Sequence, residues 1–469
     1  MELQNKATAL WSNFLNVKMV QIRTFHMTWF AFFACFFAWF GIAPLMSVVR
    51  DELSLTPNQI GWAIIGSVSM TIFARLFIGW LCDRIGPRKS YTWLLIVGSL
   101  PVMGIGLAQS FETFLLFRVL IGGIGASFVI TQYHTSVMFA PNVVGQANAT
   151  SAGWGNLGGG VTQFVMPLLF SVMVIGFGFS EAVGWRLSMV VVGVIIFLIG
   201  IGYYFLTQDA PDGNYDDLRA QGKMEEKKKV TGNYMHALKD RRVWVLFVIY
   251  GASFGIELTV NNVAALYFMD YFDLSLVAAG FVAASFGLMN LFARTLGGIF
   301  GDNFGALWGL RGRSFWLFIC LFFEGLALLV FSQMQVLFLA LPALIVFSLF
   351  TQMAEGATYS VVPFINKKAL GAVAGVVGAG GNTGAVLAGF LFKNVIDWSE
   401  AFFILGLVVT AASFLAFFVR FSTRQEDEER ANFAAANIDT LRLRAAKANA
   451  ALEEGMQAIS QKNGETKPA

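Results

Sequence analysis

Residues 73–86 read Phe73-Ala-Arg-Leu-Phe-Ile-Gly79-Trp-Leu-Cys-Asp83-Arg-Ile-Gly86, and residues 292–305 read Phe292-Ala-Arg-Thr-Leu-Gly-Gly298-Ile-Phe-Gly-Asp302-Asn-Phe-Gly305. Both open on Phe-Ala-Arg, and a glycine four residues after that arginine, an aspartate eight after and a glycine eleven after are common to both. A second set of matches accompanies the first: Tyr133 with Tyr359, Gly155 with Gly381, Asn156 with Asn382, Gly158 with Gly384. One half of the chain is a copy of the other. Parallel duplications of this kind in membrane proteins place a substrate site near the bilayer midplane, between the halves.

Composition assigns the membrane class. The 469 residues are 57% hydrophobic and 13% charged, with 48 Phe, 48 Gly and only three Cys. A soluble protein is roughly 45–50% apolar and about 25% charged. A spanning helix needs about 20 mostly apolar residues. Runs of that kind fall at 26–49, 60–82, 92–109, 112–140, 145–177, 187–206, 243–269, 276–301, 314–332, 335–365, 369–393 and 399–421. No alternating barrel pattern is present, so the expected fold is an all-α polytopic membrane protein of twelve spans in two six-helix repeats. The expected organisation is an N-tail at 1–25, a first half at 26–206, a linker at 207–242, a second half at 243–421 and a C-tail at 422–469. Linker and tails read as solvated.

Charge fixes the expected orientation. Lys and Arg crowd the N-tail, residues 84–89, the linker, 311–313, 367–368 and the C-tail, whereas the opposite loops hold Arg50, Arg186 and Lys393. By the positive-inside rule both termini are expected in the cytosol. The net charge of +3 gives no reason to expect nucleic acid. Cys35, Cys82 and Cys320 lie in or beside apolar runs without paired spacing, and the three His are scattered, so neither metal nor cofactor is expected. No catalytic constellation marks an enzyme.

Six charges fall well inside spans, away from their ends: Arg75, Arg118 and Arg294, and Glu257, Glu324 and Glu355. A charge at membrane depth costs about 2.5–3.5 kcal/mol even on lenient scales, so each must meet a partner or a wet cavity. Arg75 and Arg294 hold equivalent repeat positions and are expected to face each other as two uncompensated cations. Their guanidinium groups are planar, permanently charged and forked, which suits a flat anion. Tyr250, Phe254, Glu257 and Asn261 are spaced along one helical face. Glu257 on that face is the expected proton-coupling group.

The stretch Gly79-Trp-Leu-Cys-Asp83-Arg84-Ile-Gly86-Pro-Arg88-Lys89 resembles the loop 2–3 motif of the major facilitator superfamily. Within it, Ala152-Gly-Trp-Gly-Asn156-Leu-Gly-Gly-Gly160 and its echo Gly375-Val-Val-Gly-Ala-Gly-Gly-Asn382-Thr-Gly384 resemble the signatures of the nitrate/nitrite porter family, the NarK-like and plant-type high-affinity nitrate carriers. Span 7 is closer to the plant-type branch, and the short linker favours a bacterial inner-membrane source.

The resemblance implies that Arg75 and Arg294 clamp the substrate and that Phe128 matches the aromatic opposite Phe254. It also places Tyr250, Asn156 and Asn382 near substrate, with Gln163 as a further candidate. Arg118 opens Arg118-Val-Leu-Ile-Gly122, similar to a motif of proton-coupled facilitators whose arginine influences proton movement, which implies a proton-coupling role for Arg118 beside Glu257; the alternative is a structural anchor at the outer interface. Gly153, Gly155, Gly158, Gly381 and Gly384 read as packing and sliding surfaces, and Asp83, Arg84 and Asp302 as gate and loop clamps. Glu324 and Glu355 read as structural partners of polar groups. The implied activity is import of nitrate, with nitrite, by a monomer in the bilayer through alternating access and proton symport, serving nitrate assimilation. The alternatives are nitrate/nitrite exchange, another small anion such as oxalate, or a sensor that does not transport.

Overall fold

A computed structural model describes residues 5–139, 144–223, 238–366, 370–394, 397–428 and 430–431. Among the described residues, twelve helices are long and apolar enough to cross a membrane: Val20–Glu52, Pro57–Cys82, Pro87–Leu107, Phe111–Met138, Ala147–Gly176, Glu181–Leu206, Arg241–Phe272, Leu276–Trp308, Leu310–Ser332, Leu337–Phe364, Val373–Lys393 and Trp398–Phe418. They are numbered spans 1–12 below. At 1.5 Å per residue even the 21-residue spans reach about 30 Å, the thickness of a hydrocarbon core.

Local signals set the helix ends. Thr56 and Gln59 form a capping box ahead of span 2, with Pro57 at the first helical position. Ser110, Ser180, Ser275 and Asp397 cap spans 4, 6, 8 and 12 with side-chain oxygens. Span 2 turns into span 3 at Gly86, φ +87°, where a Cβ would stand 2.4 Å from an Asp209 carboxylate oxygen. Only glycine satisfies both the left-handed backbone and that close approach. Short 3₁₀ stretches interrupt span 4 at Gly123–Ala126 and span 8 at Met289–Leu291. Each break lies just before a residue of the central cluster described below, Phe128 and Arg294.

The duplication is visible in the packing. Span 5 lies along span 1, and span 11 along span 7, the repeat-related pair. Between halves, span 2 packs on span 11 and span 8 on span 5, again exchanged by the repeat. Spans 1 and 7 are the most enclosed and span 6 the least. The glycines make these contacts possible. A Cβ on Gly155 would come within 1.7 Å of the Phe32 ring, and one on Gly158 within 2.2 Å of the Phe33 carbonyl. Gly384 faces the Gly251 carbonyl in the same way, and Gly381 faces Phe254. Gly153 approaches the Asn290 carbonyl of span 8.

The polar connections are more tightly docked than their composition indicates. Span 1 begins at Val20, before the apolar run starts, because Ile22 and Phe25 are buried with Ala7, Leu10 and Phe139. The expectation of a solvated linker is corrected at its first part. Asp209, Ala210, Tyr215 and Leu218 are buried, and a short helix runs Tyr215–Ala220. Asp209 accepts from the backbone N–H of Arg88 at 2.8 Å and of Tyr215 at 3.1 Å. Burial pushes its carboxyl above the usual range, against the pull of those two N–H donors. At the start of the C-tail, Glu426 is buried and accepts from Arg311 Nε at 2.8 Å. The remainder of that tail, from residue 432, lies outside the described residues.

Candidate functional site

Arg75 of span 2 and Arg294 of span 8 converge on one ring. Each guanidinium carbon lies 5.9 Å from the Phe254 centroid, so the two cations are at most about 12 Å apart. Phe128 of span 4 stands 5.5 Å from the Arg75 guanidinium. Tyr250, one turn before Phe254, stacks on it at 5.1 Å and 11°. Aromatic faces carry negative potential and hold cations without neutralising them. The ring positions follow from the glycines: a Cβ at Gly381 would meet the Phe254 and Tyr250 rings.

The two arginines have different electrostatic surroundings, which corrects the expectation of two equivalent, uncompensated cations. Arg75 donates through Nη1 to the Gly378 carbonyl of span 11 at 3.2 Å, and its buried Nε has no partner among the described residues. No ion pair to it is found among the described residues. Asn382 bonds the same carbonyl at 3.4 Å, leaving its own amide oxygen unpartnered. Arg294 instead lies between two fully buried acids. Its Nη2 reaches Glu257 Oε2 at 3.2 Å and also pairs with Glu355. Asn156, with its amide oxygen turned to Arg294, accepts from both Nη atoms, at 3.0 Å from Nη2. Asn290 in the span 8 break donates to Glu257 Oε1 at 2.7 Å. The repeat copied the arginine, but Glu257 and Glu355 belong to the second half alone.

Thus Arg75, Arg294, Phe128, Phe254, Tyr250, Asn156, Asn382 and Glu257 come together. Gln163 does not reach the arginines: it donates to the Asn261 carbonyl at 2.7 Å, further along span 7. Arg118 is also remote, bonded to the Trp39 carbonyl at 3.3 Å and to Asn262 at 2.8 Å. Arg84 stacks over Trp80 at 5.1 Å at the linker end, and its carbonyl accepts from Arg219. Asp302 pairs with Arg313 within the second half. The Asp83 side chain lies outside the described residues. Two members of the cluster had no site role in the sequence reading. Tyr359 packs edge-on against Tyr250 at 5.2 Å, and its hydroxyl lies beside Gly378 together with Arg75 Nη1. Its match to Tyr133 in the repeat was the available signal. Glu355 read as a structural partner, because the pattern gave no sign of which span 10 face meets span 8.

Across the centre the arrangement offers two forked cations, aromatic walls and two amides, with carboxylates on one cation only. With both acids ionised, its charge is balanced. A flat anion entering between the arginines adds one negative charge, and a proton taken up by Glu257 or Glu355 restores the balance.

The halves are joined at the end opposite the linker and termini, the distal end. Arg50 pairs there with Asp270 at 2.7 Å across the halves, and Ser47 donates to Met269 at 3.2 Å. Lys393 of the second half lies 4.2 Å over the Trp62 ring of the first.

The Major Facilitator Superfamily model matches residues 28–363 and again 253–459. The chain is 40% identical over 391 residues to high affinity nitrate transporter 2.5 of Arabidopsis thaliana, covering 83% of this chain and 77% of that one. It is 30% identical over 469 residues to the nitrate/nitrite transporter NrtP of Nostoc punctiforme, covering 85% and 92%. Among solved structures, a bacterial homologue of the human lysosomal transporter Spinster superposes with a TM-score of 0.66 at 15% identity, over 85% of this chain and 98% of that one, a likeness of fold alone. Twelve spans, a duplicated half and relatives matched over most of their length make this chain a member of the nitrate/nitrite porter family of the major facilitator superfamily.

Proposed function

We propose that this carrier imports nitrate, and nitrite with it, by proton symport, with its termini in the cytosol and its distal end facing outward. The substrate follows from the relatives' named activities together with the Arg75–Phe254–Arg294 arrangement. Nitrate is flat, monovalent and weakly hydrated, so paired guanidinium forks and aromatic walls suit it. Tyr250, Tyr359, Asn156 and Asn382 supply neutral hydrogen-bonding groups around it, and the glycine-packed span pairs 1–5 and 7–11 let each half move as a body.

The observation that carries the coupling is the ion pair of Glu257 with Arg294. A deprotonated Glu257 occupies the guanidinium that nitrate needs. Protonation removes that hold and leaves Arg294 paired with Glu355 alone, so proton and anion bind together, and linkage requires each to tighten the other equally. Nitrate plus one proton leaves the buried charge balance unchanged. Exchange of nitrate for nitrite needs no titrating group and would leave these acids without a role in the cycle. The test is a flux assay in proteoliposomes with labelled nitrate, run with and without an inward proton gradient and with nitrite trapped inside. Uptake that follows the gradient supports symport; uptake that ignores the gradient and requires internal nitrite replaces it with exchange.

A further inference from the structure

Arg118 has no part in the central cluster, yet it is a buried cation, 1% exposed, with no carboxylate at ion-pair distance among the described residues. Its Nη2 donates to Asn262 Oδ1 of the opposite half at 2.8 Å, its Nη1 to the Trp39 carbonyl at 3.3 Å, and its buried Nε has no partner. A full positive charge is therefore held by neutral oxygens alone, one of them across the seam that must part on the distal side. The Ser67 hydroxyl, which donates to the Ile64 carbonyl at 2.7 Å, lies 3.4 Å from Asn262 Oδ1, and the Ser67 carbonyl accepts from the Trp39 indole N–H at 2.5 Å.

This junction lies under a distal cavity of about 180 Å³ whose lining includes Arg50, Ile64, Leu266 and Asp270. Ser67 bonds the Ile64 carbonyl, and Leu266 is one helical turn beyond Asn262, so the Arg118 network is adjacent to the cavity wall. Along span 7, Asn262 is eight residues from Asp270 at the distal lock and eight from Phe254 at the centre, about 12 Å each way. Arg118 is thus a midway cation between Arg50 and the central pair.

We propose that Arg118 is a second binding station for the transported planar oxyanion, covered by Asn262 while the distal side is closed and vacated when the halves part there. Separation of span 7 from span 4 removes the Asn262 oxygen from Nη2. The guanidinium then faces the opened cleft with donors free and no acid to satisfy them. An incoming anion takes the place of Asn262 Oδ1, is drawn inward from the surface, and passes to Arg75 and Arg294. The return of Asn262 on closure displaces the anion toward the centre. This rests on the reading of the protein as a nitrate carrier.

The test measures uptake of labelled nitrate supplied to the distal face of oriented proteoliposomes, separating KM from kcat. Arg118→Gln is expected to raise KM at least fivefold with kcat within twofold, and Arg118→Lys to raise it less. Asn262→Asp places a carboxylate permanently on the guanidinium and is expected to raise KM at least fivefold; Asn262→Ser, which uncovers Arg118 without adding charge, does not raise it. Should Arg118→Gln fail to assemble, Asn262→Asp decides alone, because it keeps the arginine and the shape of the amide. A KM within twofold of wild type in Arg118→Gln or Asn262→Asp, or a loss confined to kcat, overturns the station and leaves Arg118 as a structural latch. A wild-type protein that moves no nitrate overturns the function as well, so the two failures are distinguishable.

Discussion

Replacing Glu257 by Gln removes one charge from the central cluster while keeping its shape. The amide retains an oxygen to accept from Asn290, which lies 2.7 Å from Glu257 Oε1, so the fold of spans 7 and 8 is expected to persist. What is lost is the ion pair to Arg294 at 3.2 Å. At an effective dielectric of about 20, a unit pair at that distance is worth ~5 kcal/mol. Desolvation offsets much of this, and coupling between bound ligands usually amounts to about 1–3 kcal/mol, a factor of roughly 5–150 in affinity. Wild-type nitrate affinity should therefore fall as pH rises, because the deprotonated carboxylate holds Arg294 and competes with the anion. In Glu257→Gln the Glu257 share of the competition is gone and Glu355 alone still pairs with Arg294: affinity rises, its pH dependence shrinks, and counterflow of labelled nitrate continues. Uphill uptake on an inward proton gradient should vanish, since position 257 no longer exchanges its pairing with Arg294 for a proton. Equilibrium binding across a pH series and gradient-driven uptake in proteoliposomes measure the two effects separately. A Glu257→Gln carrier that still concentrates nitrate on a proton gradient refutes the reasoning and moves the coupling elsewhere, with Glu355 the next residue to test.

Three further outcomes are expected. Arg75→Lys and Arg294→Lys keep the charge but lose the planar fork, so each should weaken nitrate binding at least tenfold, about 1.4 kcal/mol, with the protein still in the membrane; transport within twofold of wild type removes that residue from the clamp. Gly384→Ala puts a Cβ 2.1 Å from the Gly251 carbonyl and should force spans 7 and 11 apart, lowering the thermal midpoint and the transport rate; an unchanged melting curve would contradict the packing. Asp209→Ala leaves the N–H groups of Arg88 and Tyr215 unpaired, at about 1–3 kcal/mol for a buried group, whereas Asp209→Asn keeps an acceptor for one of the two, loses the bond to the other and relieves the burial of charge. Because the folded Asp209 holds its proton more readily than an unfolded one, its ionisation is a cost that sets in as pH rises above the ordinary Asp range and is relieved on acidification. Thermal melts of both variants at neutral pH should rank Asn above Ala, and equal melts would rule out the docked-linker account.

The spans, their number and their duplication were legible in the chain because each depends on local chemistry. An apolar run long enough to cross the bilayer must become a helix, since nothing in lipid pairs with its backbone. Gly155, Gly158, Gly381 and Gly384 likewise announced close helix contacts, because few other reasons place so many glycines in spanning helices. Arg75 and Arg294 stood out as charges in hydrocarbon, and the repeat placed them opposite one another. Linker docking was not legible: Asp209 is an ordinary polar residue until Gly86 and the Arg88 N–H are brought beside it.

Periodicity and repeat symmetry along the chain carry the twelve-span duplicated architecture, the two central arginines and the aromatic face of span 7. The distribution of charge across the site is set by helix packing. Repeat symmetry makes Arg75 and Arg294 equivalent, yet Arg294 is paired with Glu257 and Glu355 while Arg75 meets a backbone carbonyl. Glu257, Arg294 and Glu355 lie on three different helices, and which faces of those helices meet depends on how spans 7, 8 and 10 pack. The same holds for Arg118, which is one charge in an apolar run until packing sets it against Asn262 of the other half. Coulomb energy depends on distance in space, and distance in space between helices is not written in any one of them.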